Sequence, residues 1–318
     1  MGAAKLVSTD PEKIVKETLR LLRDPKEYER MAYAGNPFGD GRAAQRIVEI
    51  LFAYGCASRY IIFSGMETLV IVARRRALVA ELVRRELKLR YRGTWLGFLW
   101  TLFNPLIFMA VYTLVFSHFL RIGIPKFPAF LLTGLLAWNW FSESVMMGTS
   151  CLVDHAAFLR NAIFPAQILP VVSVGAGMMN YIFALPVLFA LLLVYQTPLG
   201  WALLAFPLVM AVQFILSLGI VYFTATFNVF LRDLRYIVQH GLLVAFFLTP
   251  VMYDLSFVPA RFQWLLKINP MTIIIDSYRR ILFYGNWPHW RNLALVLGLA
   301  LVLFAVSSAV FEHNKEIF

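Results

Sequence analysis

Residues that carry catalytic or metal chemistry are scarce in this sequence. Its two cysteines, Cys56 and Cys151, lie far apart and fit no ligand spacing. That excludes a disulfide framework and a cysteine-built metal site. The five histidines stand singly, so metal binding has no support in the pattern. No G-x-x-x-x-G-K-S/T run occurs, and the Gly39-Asp40-Gly41 turn lacks the rest of that phosphate cradle. If ATP drives this protein, another chain must bind it. Neither a serine nucleophile elbow nor a metalloprotease histidine pair is present. Carboxylates and histidines are scattered rather than gathered at one face, which argues against an enzyme. Internal repeats and ionisable pairs within the apolar runs, the marks of a secondary transporter, are missing too. The first fifty residues lack the basic tip and short apolar core of a cleavable signal peptide.

Apolar residues are what the sequence has in excess. They make up 60% of the chain, and the mean hydropathy is +0.70. A soluble domain is about 45–50% apolar. The surplus needs lipid as its solvent. The net charge of +11 does not imply nucleic acid. Many lysines and arginines cluster around position 80, beside the first long apolar run, where positive charge marks the cytoplasmic flank of a span.

Four stretches follow one another. Residues 1–53 read as a short soluble helical segment. Ser8-Thr9-Asp10-Pro11 supplies an N-cap and a proline at the first helical position. Asp24-Pro25 starts a second helix, and a third runs from about Arg42 to Phe52 after a Gly- and Pro-rich break. Three such helices bury little, so this segment is expected to need a partner surface. Residues 54–77 are a connector ending in Arg74-Arg75-Arg76. Residues 78–92 form an amphipathic interface helix. Leu78, Val79, Leu82, Val83, Leu87 and Leu89 lie on one half of it, and Glu81, Arg84, Arg85, Lys88 and Arg92 on the other. Glu86 and Arg90 intrude on the apolar half. Such a helix lies in the membrane plane.

Residues 93–318 are the membrane domain. Spans are predicted near 97–117, 128–148, 165–194, 201–229, 236–253 and 292–311, the third interrupted by Pro170 and Pro186. Between the last two lie amphipathic pieces, Pro259–Lys267 and Met271–Phe283, separated by Asn269-Pro270. These are too short or too charged to span, and are expected to dip into the outer leaflet. Basic residues beside the spans favour a cytoplasmic N-terminus, and an even span count returns the C-terminus to the same side. The fold class is thus all-α. It is a polytopic membrane protein of six transmembrane helices, with an N-terminal amphipathic interface helix and re-entrant extracytoplasmic helices.

Two resemblances enter on particular motifs. TDPEKIVKETLRLLRDPKEYERMAYAGNPFGDGRAAQRIVEIL resembles the C-terminal tail of the non-hydrolysing UDP-N-acetylglucosamine 2-epimerases, over residues 5–52. The nucleotide-sugar domains of those enzymes are not expected ahead of it, so no epimerase activity is carried over. A remnant, a fusion scar or an early start is expected, with Met66 as an alternative initiator. Five further landmarks follow in order: LKLRYRGTWLGFLWTLFNPL, LLTGLLAWNWFSESV, DHAAFLRNAIFPAQILP, NVFLRDLRYIVQ and FVPARFQWLLKINPMTIIIDSYRRILF. Over residues 75–315 they resemble ABC-2-type transporter permeases of the branch exporting lipid-linked polysaccharide, O-antigen, capsule or teichoic acid. That resemblance implies a transport subunit rather than an enzyme, binding no cofactor itself. It implies a homodimer in the bacterial cytoplasmic membrane with two cytoplasmic ABC ATPase subunits, which hold ATP and Mg. The other partners are a lipid-linked glycan and membrane lipids, with no nucleic acid. The same fold moving a small lipid or drug, and a membrane enzyme of glycan assembly, are the alternatives.

The site residues follow from this reading. In the resembled family, the short segment between spans two and three is the coupling helix in a groove of the ATPase. Here it carries Asp154, His155, Phe158, Leu159, Arg160 and Asn161. Asp154 is expected to cap a helix presenting Phe158 and Leu159 as an apolar knob. Arg84, Arg85, Glu86, Lys88 and Arg92 of the interface helix suit either an ATPase contact or anionic lipid, the latter at about 1 kcal/mol per basic residue. Phe108, Tyr112 and Phe116 recur every four residues on span one. Trp138, Trp140 and Phe141 sit in span two, and Phe246, Phe247 and Tyr253 on span five. Flat aromatic faces let sugar rings slide, which suits a polymer channel; plain packing is the competing reading. Glu143 in span two is expected to face other helices rather than relay protons.

Overall fold

A computed structural model describes Val15, Leu19, Arg20, Asp24, Lys26, Thr68, Gly93, Arg121 and residues 70–91, 96–119, 123–156 and 165–315. The chain divides into two compact units, Met1–Arg59 and Tyr60–Phe318. In the first, the Asp24 carboxylate accepts the Lys26 backbone N–H at 3.0 Å, as a helix N-cap does. The other helix ends predicted over 1–53 lie outside the described residues.

The second unit is helical, with no strand among its described residues. Its helices are α1 (Arg76–Tyr91), α2 (Trp100–Thr113), α3 (Phe127–Asp154), α4 (Ile168–Val194) and α5 (Phe206–Phe230). They continue as α6 (Leu234–Leu248), α7 (Ala260–Ile268), α8 (Pro270–Leu282) and α9 (Trp290–Asn314). Gly93, at φ +80, makes the elbow between α1 and α2, a backbone region that favours glycine. A π-helical stretch, Leu114–Phe119, prolongs α2.

Among the described residues, four segments are long and apolar enough to cross a membrane: Trp100–Phe119, Ile168–Val194, Trp201–Phe230 and Trp290–Asn314. The other two predicted spans differ from these for separate reasons. With 28 residues α3 has the length, but it carries Asn139, Ser142, Glu143 and Ser144 midway. Apolar α6 has only 15 residues, about 22 Å of helix against a hydrocarbon core of about 30 Å. The expected interruption of span three is corrected. The helix runs unbroken from Ile168 to Val194. Pro170 falls in its first turn, where backbone N–H groups have no intrahelical acceptor, and Pro186 sits inside it without ending it.

The core gathers around α3, which packs against α2, α4, α5, α6 and α8, while α5 packs on α9. Small residues permit the close crossings. A Cβ on Gly148 of α3 would lie 2.2 Å from Val221 Cγ1 of α5, and one on Gly219 would lie 2.9 Å from the Phe304 backbone N of α9. Valine is stiff at χ1 and cannot swing aside. Gly148→Ala is therefore expected to cost about 1–3 kcal/mol through overpacking. A thermal midpoint in detergent equal to wild type would refute that crossing. By contrast, α2 and α6 are barely covered: 6% of the α2 apolar window is buried, and no α6 residue is. Phe103, Ile107, Val111 and Leu114 form an exposed apolar stripe on α2.

Candidate functional site: a polar cavity with an aromatic wall

Helix α1 is tied to the bundle by charge. Arg90 of α1 forms an ion pair with Glu143 of α3 and also contacts the Met147 sulfur. Asn180 of α4 donates from Nδ2 to Glu143 Oε1 at 3.1 Å. This accounts for Arg90 standing on the apolar half of α1: its guanidinium reaches inward to a carboxylate midway along α3. Leu78, Val79, Leu82, Val83, Glu86 and Leu87 are half-buried beside it, whereas Leu89 is 51% exposed. The covered face is rotated from the one hydropathy predicts, because Glu86 and Arg90 are covered in place of Leu89. Arg84, Arg85 and Lys88 remain exposed. The Arg84–Glu81 pair, at 3.9 Å and largely solvated, adds little.

Arg90, Glu143 and Asn180 border a cavity of about 620 Å³ between α2, α3, α4 and α6. Trp100, Asn104 and Phe108 line it from α2, and Trp138 and Asn139 from α3. Tyr181 lines it from α4, and Gln239 and Phe246 from α6. Polar and aromatic groups alternate around it.

From this cavity an aromatic path leads along the bundle. Phe108 stacks on Tyr112 at 5.9 Å between ring centroids, and Tyr112 meets Phe116 at 6.3 Å and Phe246 at 6.5 Å. Phe116 continues to Phe127 at 6.1 Å, Phe127 to Phe130 at 6.4 Å, and Phe130 to Phe283 at 5.7 Å. Trp138 joins through Phe246 at 5.7 Å and Phe141 at 5.5 Å. These separations suit offset or edge contacts.

A buried arginine holds the far end. Arg279 of α8 is 4% exposed. It donates to the Pro250 carbonyl at 2.6 Å, the Val251 carbonyl at 2.6 Å and the Tyr253 carbonyl at 3.4 Å. Its guanidinium lies 3.6 Å from the Phe130 ring centroid. Gly134 leaves the room, since a Cβ there would sit 2.9 Å from Arg279 Nη2. Burial lowers the Arg279 guanidinium to about 10, so it stays charged at neutral pH. Burial raises the neighbouring Asp276 carboxyl, against the pull of Arg280, His289 and Arg279. The Asn269-Pro270 break is a cap: Asn269 Oδ1 accepts the Met271 N–H at 3.0 Å, and its Nδ2 donates to Thr249 Oγ1 at 2.8 Å.

At the opposite end a second cavity, of about 360 Å³, is lined by Arg85, Glu86, Ser150, Asp154, His155 and Arg235 among others. Ser150 donates to Asp154 Oδ2 at 2.6 Å, and His155 Nδ1 lies 2.9 Å from the Cys151 carbonyl oxygen.

The ABC-2 type transporter profile matches residues 77–283, more than half of the chain. This chain belongs to the ABC-2 type transporter family. The O-antigen export system permease protein RfbA of Myxococcus xanthus is 40% identical to it over 246 residues, 76% of this chain and 94% of that protein. The protein of the same description from Klebsiella pneumoniae is 30% identical over 240 residues, 75% and 92% of the two chains. The UDP-N-acetylglucosamine 2-epimerase profile matches residues 1–52. The Bacillus subtilis enzyme of that name is 53% identical over 55 residues, which is 17% of this chain and only 14% of the enzyme.

In this ABC-2 transporter the predicted channel residues divide by environment. Phe108, Tyr112, Phe116 and Phe246 are exposed or half-buried in the aromatic path, whereas Trp138 and Phe141 join it from the buried core. Phe247 touches it through Phe246 at 5.4 Å but is itself exposed. Tyr253 donates its hydroxyl to the Phe247 carbonyl at 2.8 Å. Trp140 borders the cavity, but it is buried against Tyr181 at 5.3 Å, and its indole N–H donates to the Val174 carbonyl at 3.3 Å. Of the predicted coupling residues, Asp154 and His155 flank the second cavity, and the Asp154 carboxylate engages Ser150 one turn back on α3. Phe158, Leu159, Arg160, Asn161 and Arg92 lie outside the described residues. Sequence reasoning missed Asn104, Asn139, Asn180, Gln239 and Arg279. For Glu143 the signal was present in Arg90, a cation on an apolar face.

Proposed function

We propose that this chain is the membrane permease subunit of an ATP-driven exporter of lipid-linked polysaccharide of the O-antigen type. It works in the bacterial inner membrane as a homodimer, with two cytoplasmic ATPase chains that carry ATP and Mg. The observation that carries the reading is the run of exposed or half-buried rings beside the cavity, Phe108, Tyr112, Phe116 and Phe246, in a chain whose relatives are named as O-antigen export permeases. Rings at this spacing offer a polymer successive apolar faces without fixed hydrogen bonds, so a sugar chain can advance. The sparsely covered α2 and α6 supply the surface for the second copy. Six crossings follow when α3 and α6 join the four apolar spans. In α3 the charge of Glu143 is met by Arg90 and Asn180, which lets a polar helix lie inside a bundle. Both termini then face the cytoplasm, α7 and α8 form the re-entrant outer pair, and residues 151–165 with α1 receive the ATPase.

The double substitution Tyr112→Ala and Phe246→Ala tests this. It removes the junction where α2 and α6 meet. Surface polysaccharide is expected to fall at least severalfold, while the yield of folded protein and co-purified ATPase stays at the wild-type level. Full export from the double variant overturns the channel assignment.

A further inference from the structure

We propose that Gln167 and Glu312 form a clasp that passes motion of the ATPase-receiving segment into α5 and α9, which makes both of them positioning residues for transport. This rests on the reading above that residues 151–165 receive the ATPase, and it adds the route by which a push there reaches the spans.

That segment is tied to α5 on both of its flanks. Just before it, Thr149 Oγ1 of α3 lies 3.0 Å from Thr224 Oγ1 of α5, within hydrogen-bond distance. Just after it, Gln167 immediately precedes α4, and its backbone carbonyl accepts the Tyr222 hydroxyl of α5 at 2.6 Å. The Gln167 side-chain amide donates to Glu312 Oε2 of α9 at 2.9 Å. Lys315, three residues further on, donates to Glu312 Oε1 at 2.5 Å. Gln167 is 6% exposed and Glu312 9%, whereas the Lys315 side chain is half-exposed. The Tyr222 ring meets Phe304 at 5.7 Å and Phe311 at 5.2 Å, both on α9. With the close approach at Gly219, this makes α5 and α9 one packed pair. Gln167 is joined to both of its members.

Stability alone does not account for a carboxylate at this place. Burying a charge to this degree is costly. Replacing a buried polar pair by packed apolar side chains is often neutral or stabilising. What the amide–carboxylate bond adds is direction. Apolar contact is non-directional, so surfaces held by it alone can slip past one another. A hydrogen bond fixes a donor against an acceptor, and a displacement of one carries the other. A pull on Gln167 therefore moves α9 through Glu312 and α5 through Tyr222 together. Hydrogen-bonded side chains joined to rigid helices are the kind of network that carries such coupling. Through Thr149 the entry flank acts on the same pair.

The test reads export and ATP hydrolysis separately, with the whole chain and its ATPase. Surface polysaccharide is measured in the host, and ATP turnover on the purified complex in lipid nanodiscs. Gln167→Leu and Glu312→Leu keep the apolar burial and lose the hydrogen bond. Each is expected to lower export about fivefold, the equivalent of one hydrogen bond, while ATP turnover stays within about twofold of wild type. The exchange of Gln167→Glu with Glu312→Gln restores the bond with donor and acceptor swapped, and is expected to recover export. Tyr222→Phe keeps the ring packing and loses only the hydroxyl; it is expected to lower export too, and it decides the matter should the first two variants fold poorly. Full export in the variants that fold overturns the clasp. So does a fall of export and ATP turnover in equal proportion that the exchange fails to restore, since that marks a packing role. Deletion of the chain from its host separates the two readings. Unchanged surface polysaccharide after deletion overturns the exporter reading itself, whereas polysaccharide lost on deletion but full in the variants overturns the clasp alone.

Discussion

Glu143→Ala is expected to lower the thermal midpoint of the transporter sharply and to loosen α1 from the bundle. The carboxylate is the shared partner of Arg90 and Asn180, so its loss leaves the guanidinium, among the described residues, with the Met147 sulfur as its contact. Removing one member of a buried ion pair costs about 3–5 kcal/mol. The two side chains here are 27% and 26% exposed, which places the effect near the low end, at about 3 kcal/mol. Glu143→Gln keeps an acceptor for Asn180 and loses the charge, so it should fall between. The reciprocal exchange of Arg90→Glu with Glu143→Arg should recover much of the loss, because the pair is restored with its ends swapped. Thermal unfolding in detergent reads the stability, and ATPase co-purification reads the position of α1. A wild-type midpoint in Glu143→Ala, or an exchange no better than the single variants, would sink the assignment.

Arg279→Ala is expected to be at least as damaging. Three backbone carbonyls just beyond α6 depend on this one side chain, two of them at 2.6 Å. Charge-assisted hydrogen bonds are worth about 1.5–3 kcal/mol each, and buried carbonyls left unpaired add their own penalty. The total expected loss is roughly 3–5 kcal/mol, enough to cut the yield of monodisperse protein. Arg279→Lys offers a point charge in place of a fork and can serve one carbonyl at a time, so partial rescue is expected. Size-exclusion profiles and thermal midpoints of the two variants decide the matter. Equal midpoints for Arg279→Ala and wild type would refute the anchoring role. The Phe130 ring beneath the guanidinium gives a second handle, since Phe130→Leu removes the cation–ring contact and leaves the hydrogen bonds intact.

Much of the architecture was readable from local pattern. The Gly93 elbow, the Asn269-Pro270 cap and the helices over 168–194 and 290–314 follow from short-range chemistry. Where pattern failed, a partner from elsewhere explains it. Pro170 looked like an interruption, yet it falls in a helical first turn. Leu89 was assigned to the apolar face of α1, yet that place went to Arg90, drawn inward by a carboxylate in another helix. Trp138 and Trp140 looked alike as neighbours in a span. One joins Phe246 in the aromatic path, and the other is locked against Tyr181, because residues two apart on a helix point to different sides.

By itself, the sequence determined that this protein is helical and that it belongs in lipid. Those properties depend on composition, run length and contiguous motifs, all of which are local. Tertiary structure alone decided which polar groups meet. Glu143 and Asn180 stand 37 residues apart in the chain, and Arg279 and the Pro250 carbonyl 29. No periodicity links such positions; only the packing of α3 against α4, and of α8 beneath the end of α6, brings them together. The same packing turned scattered amides and aromatic rings on α2, α3 and α6 into one cavity.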